Sequence, residues 1–151
     1  MSSNIISVSV GNYESKEVMV SLAQRDINFF SYTDPEARLA AIREIFAPDI
    51  VWFDFDGTTH HGHDGLLKRS SFLLERLNGF AHRAKGGASV CQNMATGRWE
   101  VVPEGTEDDQ DQIPVIQGGD VLVVDNRKIK ILWSYVDKLD EVLLSRLGCG
   151  Y

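Results

Sequence analysis

The chain has little cysteine and no basic cluster, and each scarcity removes a class of protein. Two cysteines in 151 residues, Cys91 and Cys149, show neither the paired spacing of a metal site nor the density of a disulfide scaffold. Cys91 reads as a small buried hydrophobe and Cys149 as a thiol in the tail. No Lys/Arg run is longer than Arg127-Lys128, and 15 basic against 22 acidic residues leave a formal charge of −7. That balance opposes attraction to phosphate backbones, so no nucleic-acid partner is expected. No apolar run approaches the roughly 20 residues of a membrane span, and residues 1 to 11 lack the basic start and long apolar stretch of a signal peptide. No membrane partner is expected, and the cytoplasm is the default location. What remains is an ordinary globular composition, 43% hydrophobic and 25% charged, long enough for one core and one site.

Hydrophobic periodicity divides the chain into a helical first half and a stranded second half. Residues 1 to 12 lack a helical period and read as a loose arm or a short edge strand; residues 1 to 14 are set apart as the arm, residues 15 to 147 as one domain, and residues 148 to 151 as a tail. Val18, Leu22 and Phe29 or Phe30 recur at helical spacing and predict a first helix from Ser15 to about Ser31. Asp34 before Pro35 starts a second, because Asp accepts the free N–H groups of the first turn and Pro fits there without losing a needed donor. Leu39, Ile42, Ile45 and Phe46 give its buried stripe.

Pro48-Asp49 ends that helix, and residues 50 to 56 follow as a β-branched and aromatic strand. Residues 57 to 62 read as a turn. Asp64 then caps or charge-stabilises a third helix with Leu66, Leu67, Ser70, Leu73, Leu74 and Leu77 at three-to-four spacing. Beyond Asn78-Gly79 the period changes, predicting strands over 80–83, 88–102, 113–124 and 129–136. Hairpin chemistry appears at Lys85-Gly86-Gly87 and at residues 125 to 128, and the acidic stretch 103–112 reads as a solvated loop. Residues 140 to 147 form a last short helix. Helices first and antiparallel strands after give an α+β fold.

Several stretches resemble the nuclear transport factor 2-like (SnoaL-like) superfamily over residues 15 to 137. Ile45-Phe46-Ala47-Pro48-Asp49 leading into Val51-Trp52-Phe53-Asp54 is similar to its second-helix end and first strand. Gly62-His63-Asp64-Gly65-Leu66 is similar to the start of its third helix. Gly97-Arg98-Trp99-Glu100 and residues 119 to 125 are similar to its central strands. The resemblance implies a curved, mostly antiparallel sheet with three helices from the first half of the chain, forming a cone-shaped pocket. It also implies a small hydrophobic organic substrate or ligand, no cofactor, and a homodimer paired through the outer sheet face. The superfamily holds isomerases, cyclases, hydrolases, dehydratases and non-catalytic proteins, so the fold alone names no reaction.

Ketosteroid isomerases within it give the sharpest comparison: Asp54 falls at their general base and Asp120 at their hydrogen-bond-donating acid. Moving a proton beside a carbonyl needs one ionised carboxylate to take it and one donor to stabilise the enolate oxygen. Their first-helix tyrosine has no counterpart in Asp26-Ile27-Asn28-Phe29-Phe30; Tyr32 is nearest in sequence, and Asp26 or Asn28 could face the pocket instead. Trp52, Arg98, Asn28, Tyr32, His63, Trp133 and Tyr135 complete the expected substrate-binding set, with Arg98 directed inward. A second comparison, with limonene-epoxide hydrolases, rests on Arg98-Trp99-Glu100, but Ser134 stands where their last-strand carboxylate should be.

Plainer readings stand beside these. Asp54 as a strand-end carboxylate caps the following turn, Asp56 could replace it in either role, and Asp120 could simply pair with Arg98. His60, His61 and His63 lack acidic or cysteine partners at ligand spacing, so they read as a polar loop and no metal is expected. Large aromatics pack cores more often than they mark ligands, and a non-catalytic binding or dimerisation module of the same fold is the alternative to an enzyme.

Overall fold

A computed structural model describes residues 13–148. The expected arm therefore lies largely outside the described residues, as do most of the tail and Cys149. Four helices, α1 (Lys16–Asn28), α2 (Pro35–Ile45), α3 (Gly62–Arg76) and α4 (Glu141–Leu147), accompany six strands among those residues. The strands are β1 (Phe46–Phe53), β2 (Thr59–His61), β3 (Phe80–Cys91), β4 (Met94–Pro103), β5 (Ile116–Asp125) and β6 (Lys128–Leu139). They form one curved, unclosed sheet in the order β2-β1-β6-β5-β4-β3. β3 to β6 make an antiparallel meander, and β1 joins β6 in parallel.

Local chemistry sets the helix starts. Ser15 and Asp34 accept from the backbone N–H groups of Val18 and Ala37, and Pro35 takes the first position of α2. These are the side chains that satisfy otherwise orphaned donors. α1 ends three residues before the expected boundary and continues as a 3-10 turn, Phe29–Ser31. Buried Arg38 donates to the carbonyls of Tyr32 and Thr33 and to Ser70 Oγ, tying the end of that turn to α3.

Three strand expectations change. β1 begins at Phe46 rather than residue 50, because Pro48, which has no N–H to give, falls where pairing with β6 is already irregular. The expected turn over residues 57–62 is shorter: Gly57, at φ +83°, closes a tight turn after Asp54, and β2 then pairs back onto β1. Lys85-Gly86-Gly87 makes no hairpin. β3 passes through it with a shift of register between Lys85 and Ser89, and the chain reverses at Gln92, which takes φ 56°. Cys91, at the end of this edge strand, is exposed rather than buried. By contrast Asn126 and Arg127 both adopt positive φ between β5 and β6, as a two-residue hairpin turn requires.

α1 packs across β3 and β4, and α3 across β1 and β2. Strand alternation then directs Trp52, Ala95, Leu122 and Leu132 into the core beneath the helices, where all are buried. The acidic loop after β4 is anchored by buried Arg83, which donates to the carbonyls of Thr106, Glu107, Asp109 and Gln112 and to Glu100 Oε2. No described helix is long and apolar enough to cross a membrane.

Candidate active site

Between the helices and the concave face lies a narrow cavity that opens to solvent. Its wall is mostly apolar: Ile27 from α1, Phe30 from the 3-10 turn, Trp52 from β1, Leu73 from α3, Trp99 from β4 and Val136 from β6 all face it. Four polar side chains interrupt that wall, Asp54, His82, Asp120 and Ser134. An apolar hollow with a few placed polar groups is the usual form of a small-molecule site.

Asp120 is buried in the middle of β5 and anchors a hydrogen-bond chain across the sheet. Its Oδ1 accepts from Trp99 Nε1 at 2.9 Å and from Ser134 Oγ at 2.7 Å. Ser134 Oγ in turn accepts from Trp52 Nε1 at 2.9 Å, which turns the hydroxyl proton toward Asp120. The register explains the meeting: Asp120 lies opposite Ser134 on β6, and Trp99, two positions beyond Asp120's partner Gly97, shares the same face. Ser134, where the hydrolase comparison wanted a carboxylate, is a link in this chain.

Asp54 follows β1 and is held differently. Arg69 Nε donates to its Oδ2 at 2.7 Å, the backbone N–H of Phe55 donates to its Oδ1 at 2.8 Å, and Arg69 Nη2 bridges to Asp56 Oδ2 at 2.9 Å. Burial pushes the Asp54 carboxyl up to about 6, against the opposing pull of Arg69. Such a group exchanges its proton close to neutral pH, where acid–base catalysis is most effective. Asp56 is thus a second partner of Arg69 and is absent from the cavity wall.

His82 was not singled out by the sequence. β3 alternation places it on the inner face with Phe80, stacked on Phe30 with ring centroids 4.5 Å apart. Burial lowers its pKa to about 4, so the imidazole facing the cavity is neutral at physiological pH. A neutral imidazole keeps one N–H, a donor for a developing oxyanion. Asp26, which the sequence offered as a possible pocket residue, is buried on the inner stripe of α1 with Met19, Leu22, Ala23 and Ile27, and is not on the cavity wall. An acidic residue inside that apolar stripe was the available signal; for His82 there was only strand parity.

Most of the expected substrate-binding set lies elsewhere. Trp52 lines the cavity, whereas Asn28 and Tyr32 are exposed. His63 bonds the carbonyl of Phe46 through Nε2, and His60 bonds Thr58. Arg98 points outward: Gly97 and Trp99 hold the inward positions of β4, and Arg98 pairs across the outer face with Asp137 at 2.6 Å and with the Tyr135 hydroxyl. Asp120's partners are therefore indole and hydroxyl groups. Glu100, next but one to Arg98, is also on the outer face, against Arg83. Trp133 and Tyr135 are 41% exposed on that face.

No protein-family model matches the sequence, and no curated protein matches it. Solved structures do share the fold. A proposed isomerase of the SnoaL-like family from Agrobacterium tumefaciens superposes with a TM-score of 0.70 at 16% identity, over 80% of this chain and 98% of that one. An NTF2-like protein of unknown function from Mesorhizobium loti gives 0.61 at 21% identity, over 83% and 96%. A proposed SnoaL-like polyketide cyclase from Jannaschia sp. CCS1 gives 0.62 at 8% identity, over 83% and 92%. The chain has the NTF2-like, SnoaL-like fold.

Proposed function

We propose that this chain binds a small, largely apolar organic molecule in the cavity and catalyses cofactor-free acid–base chemistry on it, of the isomerase or cyclase type. The observation that carries the reading is the presence of two buried carboxyl groups, Asp54 and Asp120, on the wall of one aromatic cavity. Their hydrogen bonds favour Asp120, which the resemblance implied as the acid, as the proton-accepting group. Asp120, facing two neutral donors, is the carboxylate that takes a proton. The same carboxyl returns that proton, Asp54 on the same wall stays paired with Arg69, and the His82 N–H supports the oxygen on which charge develops. The nearby isomerase and cyclase assignments among structures of the same fold are consistent with this chemistry.

The test is α-proton exchange of a neutral bicyclic ketone, β-tetralone, in D2O, followed by NMR. Wild-type protein accelerates deuterium uptake, and Asp120→Asn loses roughly 10²-fold or more of that acceleration. Binding of the ketone without any acceleration would instead favour the non-catalytic module. The outer face supports a second element of the reading, pairing of two copies: Phe53 stacks on exposed Trp133 with centroids 5.7 Å apart, and Tyr135 is exposed beside them. A face of aromatic side chains open to water is the kind that association covers.

A further inference from the structure

Asp26 presents a problem the cavity chemistry leaves unsolved. It is fully enclosed on α1, and neither of its carboxyl oxygens has a hydrogen-bond donor among the described residues. An ionised carboxylate in that position would be costly. Its neighbour is Asp120, another carboxyl group, close enough to hydrogen-bond it once a proton lies between them. Burial first, and then the negative charge of Asp120, hold the Asp26 carboxyl well above the usual carboxylate range.

The backbone is arranged to bring the two together. Gly97 pairs with Asp120 across β4 and β5. A Cβ on Gly97 would stand 3.4 Å from Ile27 Cδ1 and 4.0 Å from the Ala23 carbonyl oxygen. Those distances put this part of β4 directly against α1 beside Asp120, and Asp26 lies on the helical turn between the two contacts. The donors are divided unequally: Trp99 and Ser134 both serve Asp120, and none serves Asp26. The charge accordingly belongs on Asp120 and the proton on Asp26. Only Asp120 reaches the cavity wall; Asp26 stands behind it. The other titratable groups on that wall are Asp54, already paired with Arg69, and neutral His82.

We propose that Asp26 and Asp120 share one proton and act as a single acid–base unit, Asp120 meeting the ligand and Asp26 positioning it from behind. The catalytic part of this role rests on the proton-transfer reading above. In the first step a ligand C–H bond beside a carbonyl breaks. The proton passes to a free lone pair of Asp120, and the electron pair remains on the ligand as an enolate. The unit then holds two protons. In the second step one proton leaves to form a new C–H bond, and the unit returns to one, with no net oxidation or reduction. Asp26 supplies the hydrogen bond that keeps Asp120 ionised at the start and oriented throughout.

The experiment is a pH titration of the whole chain labelled at the aspartate side-chain carboxyl carbons, read by NMR, with Asp26→Asn and Asp120→Asn alongside. The expected result is one aspartate that stays protonated at neutral pH in the wild type. Its signal is absent from Asp26→Asn, and it titrates at lower pH in Asp120→Asn, which removes the neighbouring charge. Ionisation of every aspartate at neutral pH in the wild type overturns the proposal, and that measurement needs no variant to fold. So does a retained proton whose titration is unmoved in Asp120→Asn. β-Tetralone exchange separates the two ideas. A retained proton with no exchange by wild type leaves the shared proton standing and removes the catalytic reading. Exchange with an identical pH profile in Asp26→Asn removes Asp26 from the chemistry.

Discussion

Arg69 donates its Nε–H to Asp54 Oδ2 at 2.7 Å, with both side chains buried. Removing one member of a buried ion pair leaves the other charge without compensation, at a cost of about 3–5 kcal/mol. Arg69→Met is expected to lose stability of that order in urea denaturation near neutral pH. Without Arg69 the Asp54 carboxyl rises beyond its present value of about 6, further from its ordinary 3.8. A raised carboxylate favours the folded state while protonated, and that contribution disappears as pH rises through the folded value. The stability deficit of Arg69→Met should therefore shrink as pH falls from the alkaline side toward about 6 and level off below it, where the wild-type carboxyl is protonated as well; an equal deficit throughout would contradict this assignment.

Gly118 is expected to resist even the smallest substitution. A Cβ there would clash with the Tyr135 carbonyl oxygen and lie 2.8 Å from Trp99 Cζ2. Gly118→Ala must move either β6 or the indole whose N–H serves Asp120, and overpacking of this kind costs about 1–3 kcal/mol or more. Gly87→Ala, with open space around the new methyl group, is the control and should change the thermal midpoint little.

His82 should remain neutral down to pH about 4, where a free histidine would protonate near 6.5. The unfolded chain takes up that proton first, so His82 lowers stability as pH falls from about 6.5 toward about 4. His82→Phe keeps a ring against Phe30 and should flatten that part of the stability profile. Ring-proton NMR of the wild type checks the titration itself, and protonation near the ordinary value would contradict the buried setting.

Sequence patterning made the architecture legible where local chemistry and tertiary contacts agree. Asp34-Pro35 marks the start of α2 in both, and the Asn126-Arg127 turn between β5 and β6 was visible in its residues. The Gly86-Gly87 segment misled because cross-strand pairing with β4 overrides local turn preference and absorbs it as an irregularity within β3. Counting from family-like stretches picked out Asp54 and Asp120, which both lie on the cavity wall, one directly after β1 and the other within β5. It failed for Arg98, whose direction depends on whether odd or even positions of β4 face inward. It was silent on His82 for the same reason. Asp26 shows the limit most clearly, because its significance comes from lying against Asp120, a residue distant in the chain.

The exposed aromatic face carries its own expectation. If two copies pair there, Trp133→Lys places a charge on the contact and should convert a dimer to a monomer in sedimentation, leaving the interior chain from Trp52 to Asp120 intact. A wild-type monomer across the concentration range would remove the pairing proposal.

The most direct test of the account is where a ligand goes. The protein has three tryptophans: Trp52 and Trp99 donate their indole N–H groups inside the cavity network, and Trp133 lies on the outer face. Titrating 15N-labelled protein with β-tetralone should shift the indole N–H signals of Trp52 and Trp99 together while Trp133 stays still. Movement of Trp133 alone would place binding on the outer face and contradict the cavity as the site.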